Sequence, residues 1–419
     1  MSSKVVIVGA GQAGYHAASA LRSAGFAGEV ELLGEEPGLP YQRPPLSKSY
    51  LRDPRSEDIV FRPRKYYCDH GIDVRVRHRV AAIDRARHQV VLDTGEPRPY
   101  DHLVLATGAR PRGLPVDGAH LDGVVHLRTR EDADRLGSRL AAASEVAIVG
   151  AGFIGLELAS VASELGVRAT VLELAPGAMT RAVSEPTARF FVEQHEARGV
   201  RFRFTTSVAR VVGTDGVVTG LVTDHGDVVA ADLVVVGIGV VPNTGLAERA
   251  GLPLANGIQV DAHLLTSDPA ISAIGDCAAF PSRHGAGLVR LESVQNATDQ
   301  ARYVAGRING SREPYAAVPW FWTDQAGFKL QIAGLTAGHD TCIVRGSVED
   351  GSFSVLCFRG ERFLGAESVN RVADHMKVRK LLSRGGTVSR DDAADPAYGF
   401  GIRRDRRADL VAGQQQEGA

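Results

Sequence analysis

VAIVGAGFIGLELA, Val146 to Ala159, reads as a buried strand, a glycine turn and the opening of a helix. The chain has already used that pattern as VVIVGAGQAGYHAA, Val5 to Ala18, 141 residues earlier. Each unit runs on into a second apolar strand, EVELLG in the first and RATVLEL in the second. Uninterrupted Val, Ile and Leu suit parallel strands buried on both faces, joined by the helical crossover that parallel pairing requires. In each G-x-G-x-x-G the first glycine (Gly9, Gly150) makes the sharp turn. The second (Gly11, Gly152) lets backbone approach a pyrophosphate, and the third (Gly14, Gly155) lets helix pack on strand. A helix N-terminus then offers N–H groups and partial positive charge to phosphates. Each unit also supplies an acid where a ribose would lie: Glu35, 26 residues after Gly9, and Glu173, 23 after Gly150. Two such turns imply two dinucleotides. If one is a nicotinamide nucleotide, FAD is the natural second.

The rest of the chain fits around these units. With 419 residues, two or three domains are expected. Hydrophobic residues at 44% and charged residues at 23% belong to an ordinary globular protein with ample core material. A formal charge of −1 gives no call for nucleic acid or an anionic membrane. No apolar run is long enough for a membrane span, and MSSK leads straight into a strand without a signal-peptide pattern, so a cytoplasmic location is expected. Cys68, Cys277, Cys342 and Cys357 are scattered, without C-x-x-C or Cys/His zinc spacing; they read as inert thiols, and no metal is expected. DHLVLATGARPR is a strand closed by Ala106-Thr107-Gly108, where backbone can lie against a cofactor. In AISAIGDCAAF, Asp276 stands at a strand end beside an expected helix start, as a flavin ribityl partner or simply a helix cap. Residues 200–239 read as a small antiparallel piece and a return to the sheet. Beyond about residue 318, alternating segments with glycine turns predict an antiparallel sheet followed by the helix RVADHMKVRKLLSRG. The final GIRRDRRADLVAGQQQEGA is polar and expected to be mobile. The fold class is therefore α/β, two Rossmann-like dinucleotide-binding domains plus a C-terminal α+β domain with an antiparallel sheet.

Longer motifs occur in a fixed order: GAGQAG, LPYQRPPLSKSYL, LVLATGARPR, GAGFIGLELA, GIGVVPNTGLAERAGL, AIGDCAAF, LESVQNATDQARYVA and PWFWTDQ. Together they resemble the FAD-dependent ferredoxin reductases of bacterial cytochrome P450 and ring-hydroxylating dioxygenase systems, the putidaredoxin reductase and rhodocoxin reductase family. The resemblance spans nearly the whole chain, and RPPLSK and LESVQNA are far more specific than the glycine turns. It implies an FAD-binding domain over 1–112 and 243–317, an NAD-binding domain over 113–242 and a C-terminal domain over 318–419.

The resemblance also implies roles. Gly11, Ala13, Glu35, Lys48, Val80, Arg128, Asp276 and Val294 match FAD-contacting positions, with Arg43 and Pro44 in the same loop as Lys48. Gly150, Gly152, Ile154, Glu157, Glu173, Arg181 and Gly239 match the nicotinamide-nucleotide side, and Trp320 an aromatic near the flavin. Trp320 and Trp322 serve equally well as packing at a domain junction. Lys48 and Glu157 are implied to meet at the reactive edge of the flavin, the lysine stabilising negative charge and the glutamate holding it. Glu173 suits the free 2′-hydroxyl of NADH and would repel the 2′-phosphate of NADPH, although Arg168 and Arg181 stand near it in sequence. Residues 35–55 hold no cysteine, which disfavours the thiol relay of disulfide reductases on this fold.

The implied reaction passes electrons from NADH through FAD, one at a time, to a small [2Fe-2S] ferredoxin that serves a P450 or dioxygenase. Such ferredoxins are generally acidic, so a basic docking face is expected. Its candidates are Arg302 and Arg307 on one helix, and Arg371, Lys377, Arg379, Lys380 and Arg384 on another; a solvated helix face explains each one equally well. Two other readings stay open: an NADH-dependent flavoprotein that reduces rubredoxin or a quinone, and an FAD/NADH redox-sensing interaction protein.

Overall fold

The computed structural model describes residues 3–55 and 58–401, with the backbone of 403–404. The expected mobile tail beyond 404 lies outside the described residues. Two compact units are present: residues 1–172 with 206–316, and residues 173–205 with 317–419.

The first unit contains both glycine turns, each on its own parallel sheet. One sheet runs Ile271–Ala273, His102–Leu105, Lys4–Val8, Glu29–Leu33, Ile72–Arg75. The other includes Arg168–Leu172, Glu145–Val149, Leu233–Val236 and the short strand Val124–Val125. Val5, Val6, Ile7, Leu103, Val104 and Leu105 are fully buried. Helices and small antiparallel sheets cover these strands and leave them no polar side, which is why their sequences do not alternate. Each such side chain taken out of water contributes roughly 1.5–3 kcal/mol.

Strand order places the turns. Lys4–Val8 lies between Glu29–Leu33, which follows it directly, and His102–Leu105, which the chain reaches much later. Glu145–Val149 lies likewise between Arg168–Leu172 and Leu233–Val236. Winding therefore reverses beside each first strand. The crevice at the carboxyl ends of such strands is where open α/β sheets bind ligands. An antiparallel trio, Val208–Thr214, Val217–Thr223 and Val228–Ala230, packs on the second sheet, as the alternation in that stretch predicts. Ala109–Pro111 and Val240–Pro242 pair where the chain crosses between the two sheets and returns.

The second unit is a five-stranded antiparallel sheet in the order Trp320–Gln325, Phe328–Gly334, Arg362–Val369, Ser352–Arg359, Thr341–Ser347. Leu356, Phe358 and Ala366 on one face pack against Val378, Leu381 and Leu382 of the helix Val372–Ser383. On the other face the helix Glu185–Glu196 sets Phe190 edge-on against Phe328 and Phe353, ring centroids 4.9 and 5.2 Å apart.

Candidate active site

The six glycines divide by what a β-carbon would meet. At Gly9 it would strike the Ala106 carbonyl, and at Gly14 the Gly9 carbonyl. At Gly150 it would strike the Gly237 carbonyl, and at Gly155 the Gly150 carbonyl. Gly9 and Gly150 also hold φ of +110° and +108°, where L side chains are strained. Gly11 and Gly152 have neither problem: their backbone is ordinary and nothing lies within 4 Å of an added β-carbon. The outer glycines are thus fixed by packing, and the middle one faces open space in both turns. That space is the cradle a pyrophosphate requires.

The helix starts fit the same reading. The helix Arg130–Ala142 carries a full capping box from Thr129 and Asp132. Neither Gln12–Ser23 nor Phe153–Glu164 has a side-chain cap or an acid in its first turn, and both begin at a middle glycine. Helix dipole and donors are therefore directed at the crevice.

Around the first cradle, Ala13 is buried under the turn, and Gly275 packs against it. Glu35 lies just beyond its strand, exposed, with Arg79 at 3.8 Å, so its carboxylate is open to a ribose. Ala106 backs Gly9, as above. Thr107 is locked to Asn243 by two hydrogen bonds of 2.7 and 2.9 Å, and Gly108 turns the chain at φ +65°. Val80 is core at the start of Val80–Asp84. Of its two readings, flavin ribityl partner or helix cap, Asp276 does not fit the second. It sits in the 3-10 turn Gly275–Cys277, which leads into the strand Ala278–Pro281, and it pairs with Arg128 at 3.1 Å. The helix of this region begins instead at Val294, capped by Ser293.

Arg43 heads a network invisible in the sequence motifs. It donates to the Arg128 carbonyl and to Glu36, each at 2.5 Å, while the Tyr41 hydroxyl donates to the other Glu36 oxygen at 2.5 Å. Burial disfavours the Arg43 charge, but Tyr41, Glu36 and Asp276 outweigh it and hold the guanidinium protonated. The neighbour Glu36, not Glu35, thus fixes the loop, and Pro44 opens the 3-10 turn Pro44–Ser47 that follows.

That turn delivers Lys48. Its Nζ lies 2.7 Å from Glu157 Oε2, joining the RPPLSK loop to the helix behind the second glycine turn. Glu157 is only 3% exposed. Ser47 Oγ donates to the same oxygen at 2.5 Å, and the Pro44 carbonyl accepts from Lys48 at 3.4 Å. The carboxylate therefore has two donors and the ammonium is held in one place. Ser47 had no sequence signal beyond its place in the motif.

At the second cradle Ile154 is 46% exposed in the first helical turn, an apolar side chain left beside the open position. Gly239 has φ +100° and open space around it. Arg168 pairs with Glu145 at 2.9 Å. Glu173, Arg181 and Trp320 belong to the second unit. There Glu173 accepts from the Ala175 amide at 2.9 Å and Arg181 is exposed. Trp320 stacks under Arg379 at 4.2 Å, beside His375 and Trp322. Burial, with help from the Arg379 charge, pushes His375 down to about 4, so it is neutral near pH 7.

The basic candidates separate. Arg307 is not a surface residue as expected: it donates to Ser272 Oγ at 2.7 Å and lies 3.1 Å from His102 Nε2. Arg371 pairs with Asp374 at 2.6 Å. Lys377 and Lys380 are exposed on Val372–Ser383 together with Val372 and Met376, and Arg384 is exposed just after its end; Arg302 is exposed on the helix Val294–Ile308. Among the described residues no helix is long and apolar enough to cross a membrane.

Comparison with known proteins agrees with this architecture. Residues 3–301 match the pyridine nucleotide-disulphide oxidoreductase family and residues 320–400 the reductase C-terminal family. Rhodocoxin reductase of Rhodococcus erythropolis is 51% identical over 395 residues, covering 94% of this chain and 92% of that protein. The crystal structure of the ferredoxin reductase for the CYP199A2 system from Rhodopseudomonas palustris superposes with a TM-score of 0.92 at 46% identity, covering 95% of this chain and 98% of the other. The covalent putidaredoxin reductase–putidaredoxin complex superposes with a TM-score of 0.91 at 36% identity, covering 99% of each chain. The chain belongs to the pyridine nucleotide-disulphide oxidoreductase family and, within it, to the ferredoxin reductases of the rhodocoxin and putidaredoxin reductase kind.

Proposed function

We propose that this chain moves electrons from NADH through FAD to a [2Fe-2S] ferredoxin serving a cytochrome P450 or ring-hydroxylating oxygenase, in the cytoplasm. The observation that carries the reading is the doubled cradle: two glycine turns at two switch points, each with packed outer glycines and an open middle one. Bound FAD supplies the chemistry, accepting an electron pair from NADH and giving electrons up singly. Everything else falls to the chain's own side chains.

Gly11 and the helix behind it would hold the FAD pyrophosphate, with Gly9 and Gly14 packing the turn, and Glu35 would hold the ribose. Arg43, Arg128 and Asp276 form a charged rim that fixes the loop at Pro44. Gly152, with Ile154 and Gly239, would hold the nicotinamide nucleotide on the turn that Gly150 and Gly155 pack. The preference for NADH over NADPH rests on Glu173, whose carboxylate suits a free 2′-hydroxyl, and Arg181 is the second candidate on the nicotinamide-nucleotide side. Lys48 is held in one place by Glu157, which is buried and accepts from Ser47 on the same oxygen, and it presents its charge there. Ala13, Val80, Ala106, Thr107, Gly108 and Val294 would shape the FAD wall. The crossing ribbon Ala109–Pro111/Val240–Pro242 supports domain boundaries near 112 and 243, with the C-terminal domain beginning near 318.

The test is turnover with ferredoxins encoded beside P450 or dioxygenase genes in the source genome, driven by NADH or NADPH. NADH-dependent ferredoxin reduction well above the NADPH rate is expected. Faster turnover with rubredoxin or a quinone than with every ferredoxin would overturn the assignment, as would slow reoxidation by all acceptors.

A further inference from the structure

The sheet of the second unit gathers three soft ligands that are far apart in sequence. Cys342 on the strand Thr341–Ser347 pairs directly with Cys357 on Ser352–Arg359. Directly opposed residues of an antiparallel pair project from the same face. His339, in the loop that enters the edge strand, brings a ring nitrogen to the same place. This nitrogen and the two Sγ atoms all lie within 4.8 Å of one another. Cys357 is fully buried, while Cys342 and His339 are half-buried, so the group opens outward on one side.

Two further features prepare the group for a cation. His339 Nδ1 lies 2.9 Å from the Thr336 carbonyl oxygen. A carbonyl only accepts, so Nδ1 carries the hydrogen and Nε2 keeps its lone pair; an outer carbonyl fixing the tautomer is how ligating imidazoles are usually oriented. Glu367 adjoins on the next strand, with Oε1 3.6 Å from Cys357 Sγ. It is fully buried, and Ser184 holds its carboxylate by the backbone amide at 2.9 and 3.1 Å and by the hydroxyl at 2.6 Å. An oxygen acceptor is thus already fixed beside the Cys357 thiol.

We infer that His339, Cys342 and Cys357 form a binding site for one thiophilic divalent cation, with zinc as the ion to test. Two thiolates and a neutral imidazole balance a divalent charge, which suits a partly buried place. Tetrahedral bonds of ~2.0–2.3 Å put donors roughly 3.3–3.8 Å apart, so the three need to draw in by about 1–1.5 Å at most. The fourth position is left to water, since Ser184 already holds the Glu367 carboxylate. Binding displaces the two thiol protons to solvent. Thr341–Ser347 is an edge strand. A bound cation would pin it to its neighbour and to the loop before it, in a unit whose sequence spacing, H-x-x-C and then a cysteine on the next strand, hides the cluster.

The test uses the full-length, FAD-loaded protein, reduced and stripped with a chelator. Cobalt(II) should bind at one ion per chain and give tetrahedral thiolate ligand-field bands at wavelengths where oxidised flavin does not absorb. Zinc should displace it and raise the melting temperature. In Cys342→Ser and His339→Asn, zinc affinity should fall at least ~10-fold, since losing a ligand costs no less than losing a second-layer partner. FAD content and NADH–ferricyanide activity of these variants should stay at the wild-type level, which establishes that they fold. Cys68→Ser should bind as the wild type does. Unchanged affinity in Cys342→Ser, or absence of cobalt and zinc binding by the reduced wild type, would overturn the proposal. So would a Cys342–Cys357 disulfide whose reduction yields no cation uptake.

Discussion

Replacing Gly152 by alanine should separate binding from folding. At this position φ is −78° and ψ −179°, extended backbone that alanine adopts freely, and no atom lies within 4 Å of the added methyl. The variant should therefore fold. Its stability should stay near the wild type, because the ~0.4–1 kcal/mol that alanine gains from a less flexible unfolded chain is opposed by the preference for glycine over alanine at this N-cap. The same methyl occupies the space a nicotinamide nucleotide's pyrophosphate needs. Overfilling a closely fitted contact costs roughly 1–3 kcal/mol, which converts to a rise in the KM for NADH of about 5–150-fold at about 1.4 kcal/mol per decade. Gly155→Ala should behave in the opposite way: its methyl strikes the Gly150 carbonyl, a backbone atom that cannot swing aside, so the protein should melt early. The assay is a melting curve on FAD-loaded protein, paired with NADH–ferricyanide kinetics. FAD content is an internal control, since the first cradle is untouched. A Gly152→Ala enzyme with wild-type KM, or one that melts as low as Gly155→Ala, would refute the division of labour among the glycines.

Glu157→Gln strands Lys48 beside a neutral amide. Breaking a buried pair costs ~3–5 kcal/mol, and the partial exposure of Lys48 should bring the loss in urea melts below that; a Lys48→Met/Glu157→Gln double variant should recover part of it. Flavin reduction by NADH should slow in the single variant, as followed by anaerobic stopped flow. Lys377→Glu, on an exposed helix face, should weaken ferredoxin reduction in a salt-sensitive way and leave NADH–ferricyanide activity intact; equal loss of both would reject the docking role. His102 is pushed down to about 3 by burial and by the Arg307 charge, against a smaller pull from Asp268. The neutral ring is thus the form the fold prefers. Its contribution is complete above pH 6.5 and lost as pH falls towards 3, by at most roughly 1.4 kcal/mol per pH unit. His102→Asn should flatten the acid limb of stability measured by urea melts from pH 7 to 4.

Periodicity and glycine spacing made the two parallel sheets legible, because continuous apolar runs and G-x-G-x-x-G are local signals. The antiparallel C-terminal sheet was legible for the same reason, from alternation between turns. What sequence could not give was any contact set by strand register or by a third partner. Arg307 reads as a solvated helix residue until the strand carrying Ser272 is laid beside the one carrying His102. Ser47 looks like motif filler until its hydroxyl is seen on Glu157, and Glu36 is eclipsed by the ribose-type acid before it. Asp276 was placed at a strand end correctly, but the helix expected after it starts only at Val294. Cys342 and Cys357 are opposed only because of the hairpin register between them, which no spacing rule for cysteines contains.

The central claim is a relay from one dinucleotide to another and then to a one-electron acceptor. It is tested most directly by anaerobic titration of the purified yellow protein with NADH, followed by oxidised [2Fe-2S] ferredoxin. One NADH per FAD should bleach the flavin, and two ferredoxins should be reduced for each NADH consumed. Folded protein that takes up no FAD, or flavin that NADH bleaches but no ferredoxin reoxidises, would contradict it.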